Sequence, residues 1–275
     1  MREIEKGATI SSGATKSPAG IRVVSWNIAR GSRLDGIMEF LISADADIIF
    51  LQETDRNARR TGHRNVAKEI AQRLRMNYVF GCEFEELAQG TPESPAFHGQ
   101  ATLSRWPISD CSVLRFHNQS NFWRPRWFIP SIPPLQRRRG GRMALFSNVL
   151  ILGRSLPTYN LHCESKGGND LRYSQLQEFL QDAKRYNSDV PVLAAGDFNF
   201  DLSHGHAAAA LESAGFLNPF ITLHKATTTS HALSAGDRVI DWILFRGSLL
   251  VTNAQVYDSI SASDHYPLSL TASFL

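Results

Sequence analysis

Val190-Pro191-Val192-Leu193-Ala194-Ala195-Gly196-Asp197-Phe198-Asn199 is the stretch whose reading decides the fold. An apolar run bounded by turn signals reads as a buried strand. Gly196 lets the backbone bend, and two polar side chains follow at once. Asp197 and Asn199 are two apart, so on an extended chain they point to the same side. Asp197 can take a proton from water or touch a metal, and Asn199 can hold an oxygen with its amide hydrogens. Read alone, the pair is also what an ordinary turn contains.

Working outward, other apolar runs end in the same way. Ile21 to Asn27 is a β-branched strand closed by Asn27, and Asp47 to Glu53 is a buried strand closed by a carboxylate. Thr158 to Cys163 carries His162, Val239 to Phe245 carries Asp241, and Asp264-His265 stands just before a last strand, Leu268 to Phe274. Asn77 to Gly81, Gln100 to Arg105, Ser112 to Phe116, Met143 to Leu152 and Leu250 to Tyr257 complete the predicted strands. Helical spacing covers Leu34 to Ser43, His63 to Arg75, Asn169 to Tyr186 and His206 to Ala214, the last ended by Gly215. About eleven strands and four helices, with strands often adjacent in sequence, predict an α/β protein. Its expected form is a four-layer α/β/β/α sandwich, two mixed β-sheets flanked by helices. Residues 1–20 read as a flexible N-terminal tail, 21–275 as a single domain, and 117–141 as a long aromatic and arginine-rich insertion.

With 43% hydrophobic and 20% charged residues, the chain has the composition of an ordinary globular protein. The net charge is +3, but it is unevenly spread. Cys111 to Cys163 contains no Asp or Glu and holds Arg115, Arg124, Arg126, Arg137, Arg138, Arg139, Arg142 and Arg154. Such a block suits a polyanionic partner or an anionic surface, and equally a solvated loop. The three cysteines are far apart and give no zinc pair and no disulfide framework, which fits a reducing compartment. The opening residues lack the apolar core of a secretory signal, and no run approaches ~18 apolar residues, so a cytoplasmic location is expected.

Ser25-Trp26-Asn27, Leu51-Gln52-Glu53, Asn160-Leu161-His162, Gly196-Asp197-Phe198-Asn199, Asp237 to Ile243 and Ser263-Asp264-His265-Tyr266-Pro267-Leu268 follow one another along the chain. Together they resemble the endonuclease/exonuclease/phosphatase (DNase I-like) superfamily, across residues 21 to 275. Gln100 to Ile108 resembles the family's Ala-Ile-Leu-Ser-Arg-x-Pro-Ile strand. The resemblance implies a phosphoester hydrolase that uses Mg²⁺ or Mn²⁺, one ion or two. A hard cation suits carboxylate ligands and neutralises a phosphodiester that would repel hydroxide. It further implies that Glu53 is the main metal ligand, helped by Asn27 and Asp264. Asp197 would orient or deprotonate the attacking water, and Asn199 would hold the phosphate or water beside it. His265 would donate to a phosphoryl oxygen, with Asp241 fixing its tautomer. His162 would be a proton donor to the leaving oxygen.

The chain departs from the family's Asn-Thr-His-Leu at Asn160-Leu161-His162-Cys163, which removes a hydroxyl but keeps the histidine. Substrate contacts are expected from Arg142, Arg172, Arg124 and Arg126 for phosphate, and from Trp123 and Trp127 for stacking. Nucleic acid is the expected substrate. A lipid or small-molecule phosphoester is the alternative, since Phe122-Trp123 and Trp127-Phe128-Ile129 could enter a membrane interface. A non-catalytic adaptor is a third reading, which the intact set of acids, amides and histidines disfavours. No obligate protein partner is legible, and a monomer is expected.

Overall fold

The computed structural model describes residues 3–8, 20–125, 138–223, 225–229 and 238–275. The elements are β1 (Ile4–Gly7), β2 (Ile21–Arg30), α1 (Leu34–Ala44), β3 (Ile48–Arg56), α2 (Val66–Leu74), β4 (Asn77–Glu86), β5 (Phe97–Ser104), β6 (Ile108–Arg115), β7 (Arg138–Gly140), β8 (Met143–Ile151), β9 (Arg154–His162), α3 (Asn169–Ala183), β10 (Val192–Asp197), α4 (Gly205–Ser213), β11 (Asp241–Arg246), β12 (Leu249–Val256) and β13 (Leu268–Phe274). One sheet has the order β1-β4-β5-β3-β2-β13-β12, with β7 beside β4, and the other β11-β10-β9-β8-β6. The pairs β2–β3 and β9–β10 are parallel and the rest antiparallel, so both sheets are mixed.

Alternation along the strands separates the layers. Val24, Trp26, Ile49 and Leu51 pack against Leu34, Ile37, Leu41 and Ile70 of α1 and α2. Ile21, Val23, Ile48 and Phe50 turn the other way and meet Phe146, Tyr159, Leu161 and Trp242 between the sheets, a core that continues to Leu176, Phe179 and Leu211 of α3 and α4. The predicted four-layer sandwich is therefore the observed one. Among the described residues, no helix is long and apolar enough to cross a membrane.

Three expectations change. Residues 4–7 belong to a strand rather than a tail, paired antiparallel with Tyr78–Gly81. Glu5 fastens it by accepting from Arg56, Asn65 and Tyr78 at 2.7, 2.7 and 2.6 Å. Strand β4, predicted to end at Gly81, continues to Glu86, because Glu83 and Glu86 are buried against Arg142 and Arg138. Within the 117–141 insertion, residues 138–140 form β7 on β4, and Arg126 and Trp127 lie outside the described residues.

Candidate active site

The strand register gathers the polar residues. Met143, His162, Asp197 and Asp241 are successive partners across β8, β9, β10 and β11, so their side chains share one face of the sheet. The facing sheet supplies Asn27 from β2 and Glu53 from β3. Both strands are irregular there, with register shifts between Asn27 and Arg30 and between Leu51 and Thr54. Glu53 and Asn199 both have positive φ, 54° and 58°. Backbone strain of this kind persists where surrounding structure enforces it, and it clusters at functional sites. Gly196 has φ 148°, and a Cβ there would lie 1.9 Å from the Leu161 carbonyl oxygen, so glycine is what lets β10 lie this close to β9.

Asp197 is buried and held from two sides. The Asn27 side-chain amide donates to its Oδ2 at 3.1 Å, and the Asn199 backbone N–H donates to its Oδ1 at 2.9 Å. Asn27 Oδ1 accepts the Ala29 N–H at 3.1 Å, and Asn199 Nδ2 donates to the Cys163 carbonyl at 3.0 Å. Both amides are thereby fixed in orientation.

His265 Nδ1 lies 2.8 Å from Asp241 Oδ2, and its Nε2 lies 3.8 Å from Asp197 Oδ2. Burial disfavours the charged ring, but the carboxylates of Asp241 and Asp197 outweigh it and push His265 up to about 10. Burial, opposed by His265 and reinforced by Asp197, pushes Asp241 up to about 6. Between these limits the pair is imidazolium and carboxylate.

Asp197, Asp241 and His265 bring ligand-type atoms within 4.8 Å of one another. The imidazole is bonded through Nδ1 to Asp241, and its Nε2 faces Asp197. Glu53 is different. Its half-buried carboxylate makes no hydrogen bond or ion pair with any described residue. Burial would push it up, but His98, Arg30, His162 and Arg138 outweigh burial and hold it well below the usual carboxylate range. An ionised carboxylate without a partner is the donor a hard cation needs, and Asn27 lies on the neighbouring strand. Asp264 is exposed at the rim, with Ser263 Oγ 3.3 Å from its Oδ1.

A second charged set lies beside the first. His162 is 1% exposed, with Nδ1 3.1 Å from Glu83 Oε2 and Nε2 3.6 Å from Asp197 Oδ2. The buried Arg142 sets one terminal nitrogen 2.8 Å from the His162 ring nitrogens and 2.5 Å from Glu83, and donates with the other to Ser165 Oγ at 3.0 Å. In this arrangement His162 lies between Glu83 and Asp197, with Arg142 against its ring. Arg172 directs its nitrogens to the carbonyls of Glu164 and Ser165 and to Asn169 Oδ1, which makes it a brace of the loop after β9 rather than a phosphate contact. Cys163 is buried, and burial pushes its thiol up, consistent with a core role.

Trp123 is not a free platform. Its indole N–H donates to the buried Glu164 at 3.2 Å, and its ring is covered by Arg138 at 4.8 Å and met edge-on by Phe122 at 4.8 Å. Phe122 is the exposed ring, 58% accessible, with Lys166 Nζ 5.4 Å from its centre. Arg124 is exposed at the same rim. Sequence reasoning missed Glu83, Glu164 and Lys166, and read Phe122 only as part of a pair that could enter a membrane interface. The pairing of Glu83 and Glu164 with Arg142 has no local sequence signal.

The family model described as Endonuclease/Exonuclease/phosphatase family matches residues 24–265. None of the curated proteins matches the chain. Among solved structures, an endonuclease/exonuclease/phosphatase from Beutenbergia cavernae superposes with a TM-score of 0.69 at 17% identity, covering 94% of this chain and 72% of that one. The catalytic domain of human Nocturnin with bound sulfate anion gives 0.67 at 16% identity, covering 99% and 97%. A mannosyl-6-phosphatase from Bacteroides thetaiotaomicron gives 0.61 at 18% identity, covering 92% and 100%. At these identities the likeness shows the shared fold.

Proposed function

The chain belongs to the endonuclease/exonuclease/phosphatase family, and on that premise we propose that it is a divalent-metal-dependent phosphodiesterase acting as a nuclease. The observation that carries the chemistry is a proton-handling group, Asp197 with His265 and Asp241, set beside an ionised and unpartnered Glu53. Glu53 would hold Mg²⁺ or Mn²⁺, with Asn27 and the rim carboxylate of Asp264 contributing. A bound ion supplies charge neutralisation and polarisation of the phosphoryl group.

The chain's own residues do the rest. Asp197, oriented through Asn27 and Asn199, takes a proton from the attacking water as its oxygen bonds to phosphorus. His265, protonated and anchored by Asp241, directs Nε2–H at the phosphoryl oxygen where charge grows. The bond from phosphorus to the leaving oxygen breaks on the opposite side, and the leaving oxygen takes a proton from solvent. His162, Glu83 and Arg142 keep Asp197 in place from beneath.

Two features support the nuclease reading of the substrate. Lys166 and Arg124 stand at the rim, and Phe122 offers an exposed ring on which a base can stack, worth about 1–3 kcal/mol. The same exposed ring favours a lipid substrate as the second reading, since an aromatic side chain suits a membrane interface. A panel of duplex DNA, single-stranded DNA, RNA and sphingomyelin vesicles, each with Mg²⁺ or Mn²⁺ and with chelator, separates them. Metal-dependent cleavage of nucleic acid is expected. Cleavage of vesicle lipid alone would replace the nuclease reading with the lipid one.

A further inference from the structure

One buried hydroxyl ties together the chain segments that carry Asp241 and His265. Thr227, in the short segment 225–229 before β11, is 2% exposed. Its Oγ1 accepts two adjacent backbone N–H groups, from Ile240 at 3.0 Å and from Asp241 at 3.1 Å. The same hydroxyl donates to the Arg238 carbonyl at 3.2 Å. A threonine hydroxyl has one proton and two lone pairs, so this one is fully used on the main chain and has nothing left for a substrate.

The backbone of Thr227 works on the other side. Its carbonyl accepts the Tyr266 N–H at 2.7 Å, and its N–H donates to the Arg238 carbonyl at 2.8 Å. Thr228 forms a bridge with His265, and the Thr229 N–H donates to the Asp264 carbonyl at 2.9 Å. One residue thus joins the start of β11, where Asp241 stands, to the turn before β13 that presents His265. The piece it holds also reaches Asp197's neighbours. The Ile240 carbonyl accepts the Phe198 N–H at 2.9 Å, and the Arg238 side chain donates to the Asn199 carbonyl at 3.2 Å. The bond between Asp241 Oδ2 and His265 Nδ1 is 2.8 Å long, and such a bond weakens steeply when either partner is displaced.

We propose, on the reading of Asp241 and His265 given above, that Thr227 is a positioning residue for that pair: its hydroxyl pins the start of β11, its carbonyl pins the turn before β13, and together they set the distance across which Asp241 holds His265. Loss of the hydroxyl leaves two buried N–H groups without a partner, and they recover one only if the start of β11 shifts. Misplacement of a working group by about 1 Å can cost about 100-fold in rate.

The test is hydrolysis of bis(p-nitrophenyl) phosphate with Mn²⁺ by the full chain, with kcat and KM measured below the melting temperature of each variant. Thr227→Val keeps the branched shape and removes the hydroxyl; Thr227→Ser keeps the hydroxyl. Thr227→Val is expected to lower kcat about 10–100-fold with KM little changed, and Thr227→Ser to retain most of the wild-type kcat. In an Asp241→Asn background the pair is already broken, so Thr227→Val should add little, because residues that act as a unit are not additive. Wild-type kcat in Thr227→Val overturns the proposal. An equal loss in Val and Ser, or the full loss repeated in the Asp241→Asn background, overturns it as well and marks a packing role. If Thr227→Val does not fold, Thr227→Cys, which keeps a weak acceptor, carries the same comparison in both backgrounds, with a smaller loss expected and an unchanged kcat contradicting it. If the wild type leaves the ester intact, or Asp241→Asn keeps full kcat, the reading of the Asp241–His265 pair falls and this inference with it. A failure confined to the Thr227 variants leaves that reading standing.

Discussion

His265 shows what neighbours do to a single side chain. An unperturbed histidine titrates near ~6.5, and in the folded protein Asp241 and Asp197 overcome burial to push it up to about 10. A raised pKa means that the folded state holds its proton more tightly. The stability this contributes is fully present below about 6.5 and is lost as pH rises through about 10. Asp241, pushed up to about 6, runs in the same direction at lower pH. The melting temperature of the metal-free protein is therefore expected to fall between pH values of about 6.5 and 10, and Asp241→Asn should remove most of that slope. A melting temperature that is flat across this range in the wild type would contradict the pairing.

Among the elements, β10 is the one the sequence spelled most clearly: an apolar run, a glycine, then Asp197. Its legibility is physical, because a strand buried on both faces admits no polar residue until it reaches an edge. The same logic exposed β2, β3 and β11 and the residues at their ends. Strand β1 was hidden because Ile4–Gly7 has no hydrophobic pattern of its own; what orders it is the edge of β4 and the bonds to Glu5. The site's second carboxylate–histidine pair was hidden for a related reason. Glu83 belongs to a run of acids, and its burial depends on Arg142, 59 residues further on. Trp123 was expected to stack on substrate, yet a large ring with a polar N–H finds a better place against Glu164 and Arg138, and the neighbouring Phe122 is left outside. Gly196→Ala tests the β10 account. A Cβ 1.9 Å from the Leu161 carbonyl oxygen must push the strands apart, at a cost of about 1–3 kcal/mol, and displace Asp197. Urea unfolding and hydrolysis should both be impaired; a variant as stable and active as wild type would refute the close approach.

At the scale of the whole molecule, four of the arginines in the acid-free stretch between Cys111 and Cys163 find acids from elsewhere in the chain. Arg142 pairs with Glu83 and Glu164, Arg138 with Glu86, Arg139 with Glu85 and Arg115 with Glu3. Charges that look like one block along the chain are cross-links between β4, the strands around it and the loop after β9. Removing one partner of a buried pair leaves a bare charge, so Arg142→Ala is expected to destabilise by about 3–5 kcal/mol. Arg142→Lys should rescue little, because a point charge cannot reproduce the planar fork that meets Glu83, His162 and Ser165 together. Denaturant unfolding checks both, and a wild-type midpoint for Arg142→Ala would show that the network is dispensable. The fold's larger task is to bring strand ends of the two sheets together so that Asn27 meets Asp197 beside Asp241 and His265. The most direct measurement is hydrolysis of bis(p-nitrophenyl) phosphate by wild type and Asp197→Asn, in Mg²⁺ or Mn²⁺ and after complete removal of divalent ions. A loss of at least about a hundredfold in the variant, and abolition of turnover without metal, are predicted; full activity in Asp197→Asn, or turnover untouched by chelation, would contradict the site described.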